Sequence, residues 1–240
     1  MAIDIVALTA VCEEDSAWVP QYLAEVDRLR IPFIMLFDRC SSAFMESVLN
    51  SQVAELQHCQ CVSYDVRALE EFNEQAKQGI WNQARHMGFD WAIAWDIDET
   101  WELNARDKIE QTLAETDAHV LTARWLNLWE TPDQVRIDGG FNGHHAKFYN
   151  LQAGPWKFDH PITNGCKLLD DRGRIRTDTV TGKTDIVCLH HGMMTKELRQ
   201  FHKERWDRIY TKAVGNNPYG FWNYALDETV TPQLTRNVWR

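Results

Sequence analysis

The chain has 240 residues, of which 44% are hydrophobic and 25% charged, a composition typical of a globular domain with its own core. A formal net charge of −10 argues against broad electrostatic adhesion to nucleic acid or to an anionic membrane, although it allows a locally basic groove. No apolar run is long enough to span a membrane and no basic leader precedes the first strand-like residues, so the expected location is the cytoplasm. Four of the six cysteines are isolated, and Cys59-x-Cys61 lies in an apolar strand-like run with no second Cys/His pair at zinc spacing, which predicts reduced thiols rather than disulfides or a zinc site.

The first hundred residues alternate between short apolar runs and segments of helical periodicity. The runs are too short for helices and rich in branched and aromatic residues, so they predict buried strands. This alternation indicates an α/β fold, a mostly parallel central sheet with helices on its faces. Strands are expected at residues 3–9, 32–37, 59–64 and 91–95, and helices at residues 19–29, 43–55 and 72–87.

The second half continues with less regular spacing. Residues 131–143 are polar and contain Pro and Gly, so we expect a loop over the ligand crevice. Such a crevice lies at the carboxyl ends of the strands in sheets of this kind. Further helices are expected at residues 105–116 and 195–213, the latter locally basic, and further strands at residues 119–128, 143–149 and 184–189.

The apolar run at residues 91–95 ends abruptly in acid, with Asp96, Asp98 and Glu99. Because side chains alternate along an extended segment, Asp96 and Asp98 should point to the same side. Two carboxylates that close repel each other unless a cation lies between them, and a hard divalent ion such as Mg²⁺ or Mn²⁺ suits oxygen ligands. A helix cap would need only one acid. The pattern therefore predicts a metal site at the carboxyl end of this strand.

Two enzyme families share this string. An apolar strand running into Asp-x-Asp-Glu resembles the metal-binding turn of GT-A-type glycosyltransferases. It also resembles the first motif of the haloacid dehalogenase phosphatases, in which Asp96 would be the nucleophile. The phosphatase motif belongs on the first strand of its fold, whereas three strand-helix units precede Asp96 here, and Lys167 and Asp170-Asp171 do not look like later strand-end motifs. The order of elements therefore favours the glycosyltransferase.

The first half as a whole resembles the family 2 type glycosyltransferases, especially the subgroup whose turn reads Asp-x-Asp-Glu. The likeness rests on residues 6–15, on the strand that ends in Phe37-Asp38 and on residues 81–85 before the acids. It implies one GT-A-like domain over residues 1–240, with a nucleotide-binding half at 1–100 and an acceptor-side half at 101–240. It further implies nucleoside contacts by Thr9, Glu13 and Asp38, a diphosphate or ribose contact by Arg85, and donor and metal binding by Asp96 and Asp98.

Two adjacent histidines, His190 and His191, follow the strand at residues 184–189. In GT-A enzymes a late histidine often supplies a further protein ligand to the metal, and neutral imidazole suits Mn²⁺. The usual His-Tyr of the subgroup is replaced here by His-His-Gly; we prefer His191, with His190 as the alternative. An inverting enzyme also needs a carboxylate base, whereas a retaining enzyme does not. The carboxylates available for that role are Glu130, Asp138 and Asp159.

These residues predict a metal-dependent glycosyltransferase that uses Mn²⁺ or Mg²⁺ to move a sugar from a nucleoside diphosphate sugar to a hydroxyl-bearing acceptor. The alternatives are the phosphatase and a non-catalytic carbohydrate- or nucleotide-binding protein on the same fold. The basic helix at residues 195–213 should begin beside the diphosphate, and the aromatic, amide-rich residues 215–224 should form a wall of the acceptor site. A glycan, a protein side chain or a modified nucleobase would each fit as acceptor, and the sugar, the nucleotide and the oligomeric state stay open.

Overall fold

The computed structural model describes residues 3–59, 61–68, 74–138, 142–158, 166–214, 225–227, 229 and 231–239. Its α-helices are α1 (Val19–Leu29), α2 (Ser42–Ser47), α3 (Glu74–His86), α4 (Ala105–Glu115) and α5 (Lys196–Val214). Its strands are β1 (Ile5–Val11), β2 (Phe33–Asp38), β3 (Cys61–Ala68), β4 (Trp91–Ala94), β5 (Glu99–Trp101), β6 (Val120–Trp129), β7 (Thr131–Arg136), β8 (Gly143–Asn150), β9 (Trp156–Phe158), β10 (Cys166–Leu168), β11 (Thr181–His190) and β12 (Leu234–Arg236).

One large sheet runs through both halves of the chain in the order β12-β7-β6-β8-β4-β1-β2-β3. The strands β3, β2, β1 and β4 are parallel neighbours, so their carboxyl ends share one edge. The antiparallel β8 separates β4 from β6, and β11 runs parallel to β6 while pairing antiparallel with β5. The mostly parallel α/β sheet flanked by helices is therefore confirmed, whereas the division at residue 100 stays a prediction.

Helices cover both faces of the central strands, which explains why those strands are apolar without alternation. On β1, the fully buried Ala7 packs with the α1 side of the core, and its neighbour Val6 packs with Ile80 and Trp81 on the α3 side. Each large apolar side chain buried in this way contributes about 1.5–3 kcal/mol relative to exposure. The two cores hold the carboxyl ends of the strands in a fixed arrangement.

A buried tryptophan fixes the point at which β4 gives way to the acidic turn. Trp95 is 1% exposed, and its ring packs edge-on against Tyr22 of α1 and Trp101 of β5 at centroid distances of 5.3 and 5.7 Å. Its indole Nε1 donates to the backbone oxygen of Glu99 at 3.1 Å. The turn is thereby tied to the core at its first residue.

The region expected to be a loop at residues 131–143 is instead partly a strand. Glu130 adopts a positive φ of 60°, which reverses the chain and lets β7 return antiparallel to β6 and pair with β12. The sequence did not indicate this strand because it is polar: its buried Arg136 forms an ion pair with Asp138, so no run of apolar residues marks the strand. Among the described residues, no helix is long and apolar enough to cross a membrane.

Candidate active site

The acids after β4 lie on a turn, not on an extended strand. The backbone N–H of Glu99 donates to the oxygen of Asp96 at 3.2 Å, and the N–H of Asp96 donates to the Glu99 carboxylate at 3.1 Å. Asp96 therefore stays half-exposed while Asp98 is buried, with side-chain exposures of 51% and 10%. The expectation that strand alternation directs both carboxylates to one side is wrong, because the turn gives them different partners.

The third acid, Glu99, is part of a buried ion pair. It is fully buried, and the Lys147 ammonium on β8 lies 2.6 Å from both of its carboxylate oxygens and 3.3 Å from Asp96 Oδ2. The indole of Trp125 donates to the same carboxylate at 2.6 Å. Burial alone would lower the pKa of Lys147, but the charges of Glu99 and Asp96 raise it well above its ordinary value. Glu99 thus anchors the turn, and the half-exposed Asp96 shares its lysine.

The pairing of β11 with β5 brings the two late histidines to this turn. The register sets His190 opposite Glu99, and His190 Nε2 lies 3.1 Å from Asp98 Oδ2. His191 is buried with its ring turned the other way, and its Nε2 lies 2.9 Å from the Thr100 hydroxyl. Adjacent residues at a strand end face opposite sides. The ring beside Asp98 is therefore that of His190, not that of the preferred His191, whose backbone N–H donates to the Asp98 oxygen.

A third histidine, His202 of α5, reaches the same carboxylate and was missed from the sequence. Its Nε2 lies 3.7 Å from Asp98 Oδ2, and its side chain is 13% exposed. A Cβ placed on Gly192 would stand 2.7 Å from His202 Nε2 and 2.8 Å from His190 Nε2, and closer still to Asp98 Oδ2. The three atoms thus surround one small space that the missing side chain of Gly192 leaves open.

A pocket opens beside the acidic turn at the carboxyl ends of β1 and β4. Thr9 and Ala10 of β1, Lys77 and Trp81 of α3, and Asp96 line it. Burial lowers the pKa of Lys77, while the nearby charges of Asp96 and of Asp38, at the end of β2, oppose that shift. Thr9, Asp96 and Lys77 thus line one pocket, and the charge of Asp38 acts on the same lysine. The roles of these residues in donor binding stay predictions.

The structure does not bring Arg85 to this crevice. Arg85 is exposed in the last turn of α3, eight residues and about 12 Å along the helix from Lys77. A helix that follows one parallel strand runs back toward the amino end of the next, so its last turn lies away from the carboxyl edge. Glu13 lies at the rim, where its carboxylate accepts from the N–H of Ser41 at 3.0 Å and so links the loops after β1 and β2.

The helix α5 is tied to the loop after β1 by a second charged contact. The guanidinium of Arg205 donates to Asp15 Oδ1 at 2.8 Å, and the thiol of Cys12 donates to Asp15 Oδ2 at 2.9 Å. Burial and the charge of Asp15 raise the pKa of Cys12 to about 12, so the thiol is an inert donor here. Because Arg205 and His202 are one turn apart, α5 contacts both the β1 loop and the acidic turn.

No family model and no curated protein matches this sequence. Solved structures do. Residues 1–349 of TarS from S. aureus superpose at a TM-score of 0.51 with 7% identity, covering 93% of this chain and 69% of that one. The same protein in complex with UDP-GlcNAc superposes at a TM-score of 0.50 with 8% identity, covering 94% of this chain and 71% of that one. The mannosyltransferase PcManGT from Pyrobaculum calidifontis, in complex with GDP-Man and Mn²⁺, superposes at a TM-score of 0.50 with 10% identity, covering 94% of this chain and 68% of that one. The fold is that of the GT-A glycosyltransferases.

The sequence predicts a divalent metal at the acidic turn, and Asp98 and His190 supply oxygen and nitrogen donors of the kind that such an ion takes. Among the described residues, no group of three or more His, Cys, Asp and Glu side chains stands in an arrangement that could hold a metal ion as it is. His190 Nδ1 lies 2.6 Å from the Asn127 side-chain oxygen, and its Nε2 lies 3.1 Å from Asp98 Oδ2. Burial alone would lower the pKa of His190, but the charge and the hydrogen bond of Asp98 raise it, so an imidazolium that donates to both oxygens accounts for these distances. A metal ion that took the place of the Nε2 proton would lie between this ring and the Asp98 carboxylate, next to the space beside Gly192.

The carboxylates considered as general base differ in their surroundings within this GT-A fold. Glu130 accepts from Arg199 at 2.9 Å, and its side chain is 52% exposed. Asp138 accepts two hydrogen bonds from Arg136 and one from the backbone N–H of Gln233. Asp159 and the acceptor-wall segment at residues 215–224 lie outside the described residues. Glu130 is therefore the more accessible of the two carboxylates that the structure describes.

Proposed function

We propose that this chain is a metal-dependent glycosyltransferase that moves a sugar from a nucleoside diphosphate sugar to a hydroxyl-bearing acceptor. The observation that carries the proposal is the convergence of Asp98, His190, Asp96 and Lys77 at one edge of a GT-A-like sheet. Ligands of open α/β sheets bind at that edge, and a site with both acids and a lysine suits a metal ion and a diphosphate together. The GDP-Man and Mn²⁺ of the neighbouring mannosyltransferase structure agree with this assignment.

The metal would be held by Asp98 and His190. When bound, it would neutralise the charge that develops on the leaving diphosphate. Asn127 would orient His190 through the Nδ1 hydrogen bond, and Lys147 would restrain Asp96 while pairing with Glu99. Asp96 is the more exposed acid, so we assign it to the donor and to water rather than to a direct bond with the ion.

The nucleoside would enter the pocket between β1 and α3. Thr9 and Asp38 would contact base and ribose, with Glu13 supporting the rim through Ser41. Lys77 would meet the diphosphate, because it lines the same pocket as Asp96. A charged lysine beside phosphate oxygens makes short, charge-assisted hydrogen bonds. We therefore assign the diphosphate contact from α3 to Lys77, in place of Arg85.

An inverting reaction also requires a base that removes the acceptor proton as the sugar transfers. We assign this role to Glu130, whose partly exposed carboxylate follows β6 three residues after Asn127. Arg199 would fix the orientation of this carboxylate through its hydrogen bond to Glu130 Oε1. A retaining reaction would leave Glu130 without this role, so its substitution reports on the stereochemical course.

The test is a screen of nucleoside diphosphate sugars for Mn²⁺-dependent binding by calorimetry and for slow hydrolysis without an acceptor. Asp98→Ala should abolish metal-dependent binding while retaining the fold. The exposed Asp178→Ala is the control, because its carboxylate pairs only with the surface residue Arg176 in the contacts described and should leave binding unchanged. If the donor bound tightly without Mn²⁺, and equally tightly to wild type and to Asp98→Ala, the metal role proposed here would be rejected.

A further inference from the structure

We infer that His202 of α5 is a third protein ligand, beside Asp98 and His190, of a first-row transition ion that binds before any nucleotide does. This third ligand rests on the metal role proposed above for Asp98 and His190. Its evidence is the small space at Gly192, which Asp98 Oδ2, His190 Nε2 and His202 Nε2 surround.

The two separations from Asp98 Oδ2 lie near those of ligands on one ion, with that of His202 slightly longer. His190 Nε2 and His202 Nε2 lie 3.1 and 3.7 Å from Asp98 Oδ2. Two ligands with bonds of roughly 2.1 Å and angles between 90° and 110° lie about 3.0–3.5 Å apart. The set is therefore close to ligating geometry, and a shift of a few tenths of an ångström in the α5 histidine would complete it.

The chemistry of the set determines the kind of ion. One carboxylate and two imidazoles are typical of sites for Mn²⁺, Fe²⁺, Co²⁺ or Zn²⁺, whereas Mg²⁺ prefers oxygen ligands and keeps several waters. Three protein ligands also hold an ion without help from a diphosphate. The resident ion should therefore be a transition metal, bound in the absence of nucleotide.

Gly192 is required because any side chain would fill the space among the three atoms. Its backbone has no left-handed φ, so alanine meets no conformational penalty there, but the new methyl group would lie within 3 Å of all three donor atoms. Gly143 offers a matched control. Among the residues that the structure describes, a Cβ on Gly143 meets only the ring of His145 at 3.8 Å, an ordinary contact.

The experiment measures Mn²⁺ binding to the full chain, without nucleotide, by the loss of the free-ion EPR signal. Wild-type protein should bind Mn²⁺ much more tightly than Mg²⁺. His202→Ala should weaken Mn²⁺ binding about tenfold or more, as expected when a ligand is lost, and Gly192→Ala should weaken it further. Gly143→Ala should bind like wild type. Thermal melts of each apo variant check the fold.

Pulsed EPR of Mn²⁺ bound to the wild type gives a readout that needs no variant, because it counts coordinated imidazole nitrogens. Two such nitrogens support the inference. One nitrogen, or Mn²⁺ affinity in His202→Ala equal to wild type, overturns the role of His202 while leaving the proposed function intact. If Mn²⁺ bound only in the presence of a nucleoside diphosphate, the claim that the ion binds before the nucleotide would be overturned and the proposed function would stand. Absence of metal binding with and without nucleotide would instead reject the metal-dependent transferase.

Discussion

The buried pair of Lys147 and Glu99 supports a quantitative prediction about the acidic turn. Lys147→Met removes the ammonium that touches both oxygens of a carboxylate with no exposed surface. Breaking a buried ion pair by removing one partner costs about 3–5 kcal/mol, because the remaining charge is left without compensation. For a chain of this size that corresponds to a fall in melting temperature of roughly 6–20 °C.

A second substitution separates the lost pair from lost packing. In the double variant Lys147→Met, Glu99→Gln, the amide removes the uncompensated charge and keeps one oxygen for Trp125 Nε1 or the Asp96 N–H, which both donate to Glu99. The remaining deficit should be about 1–3 kcal/mol, the cost of a donor left without its partner. Urea unfolding monitored by tryptophan fluorescence measures both variants. If Lys147→Met were as stable as wild type, or the double variant less stable than the single, the ion pair would not be what holds the turn.

Three further predictions concern the crevice. Lys77→Ala should weaken binding of a nucleoside diphosphate by about 10- to 150-fold, which is the equivalent of one charged hydrogen bond. Arg85→Ala, at an exposed residue, should leave the affinity unchanged, and calorimetry would compare the two variants. If the enzyme inverts, Glu130→Gln should slow transfer by about 10²- to 10⁴-fold in steady-state kinetics, with donor affinity retained. Asp138→Asn should instead lower the melting temperature, which thermal melts would measure. Asp96 should neither trap beryllofluoride nor support turnover of an aryl phosphate, and either result would favour the phosphatase.

Much of the fold was predictable because the buried strands of the central sheet are apolar on both faces. The alternation of β1, α1, β2, α2, β3, α3 and β4 follows from periodicity alone. Most ends are displaced by only a few residues, but the helix expected at residues 43–55 is α-helical only to Ser47 and continues as a π-helical turn and a 3₁₀ turn to Glu55. The strand β7 was not predictable. Its place depends on the positive φ of Glu130 and on the buried Arg136, and neither has a periodic signal.

The candidate site was predictable only where one segment carries the chemistry. Asp96 and Asp98 stand out because an apolar strand ends in acid, but the ring that faces Asp98 depends on the pairing register of β5 and β11. His202 has no local signal, since it falls within the helical pattern of α5 and meets Asp98 only through the tertiary fold. Its spacing of three residues from Arg205, which pairs with Asp15, is the one hint that this side of α5 faces the crevice.

The role of α5 links both halves of the chain in the proposed reaction. Arg205 holds the helix to the loop after β1, where the nucleoside is expected, and His202 brings it to the turn after β4, where the metal is expected. An ion bound by His202 would therefore stabilise α5 as well as Asp98, because binding energy for the folded site is stability for the elements that form it. Disruption of the Arg205 contact should loosen the metal site from a distance, since the helix that delivers His202 would lose its second attachment. Arg205→Ala is thus expected to weaken Mn²⁺ binding without removing a ligand, and unchanged affinity in that variant would limit the role of α5 to His202 itself.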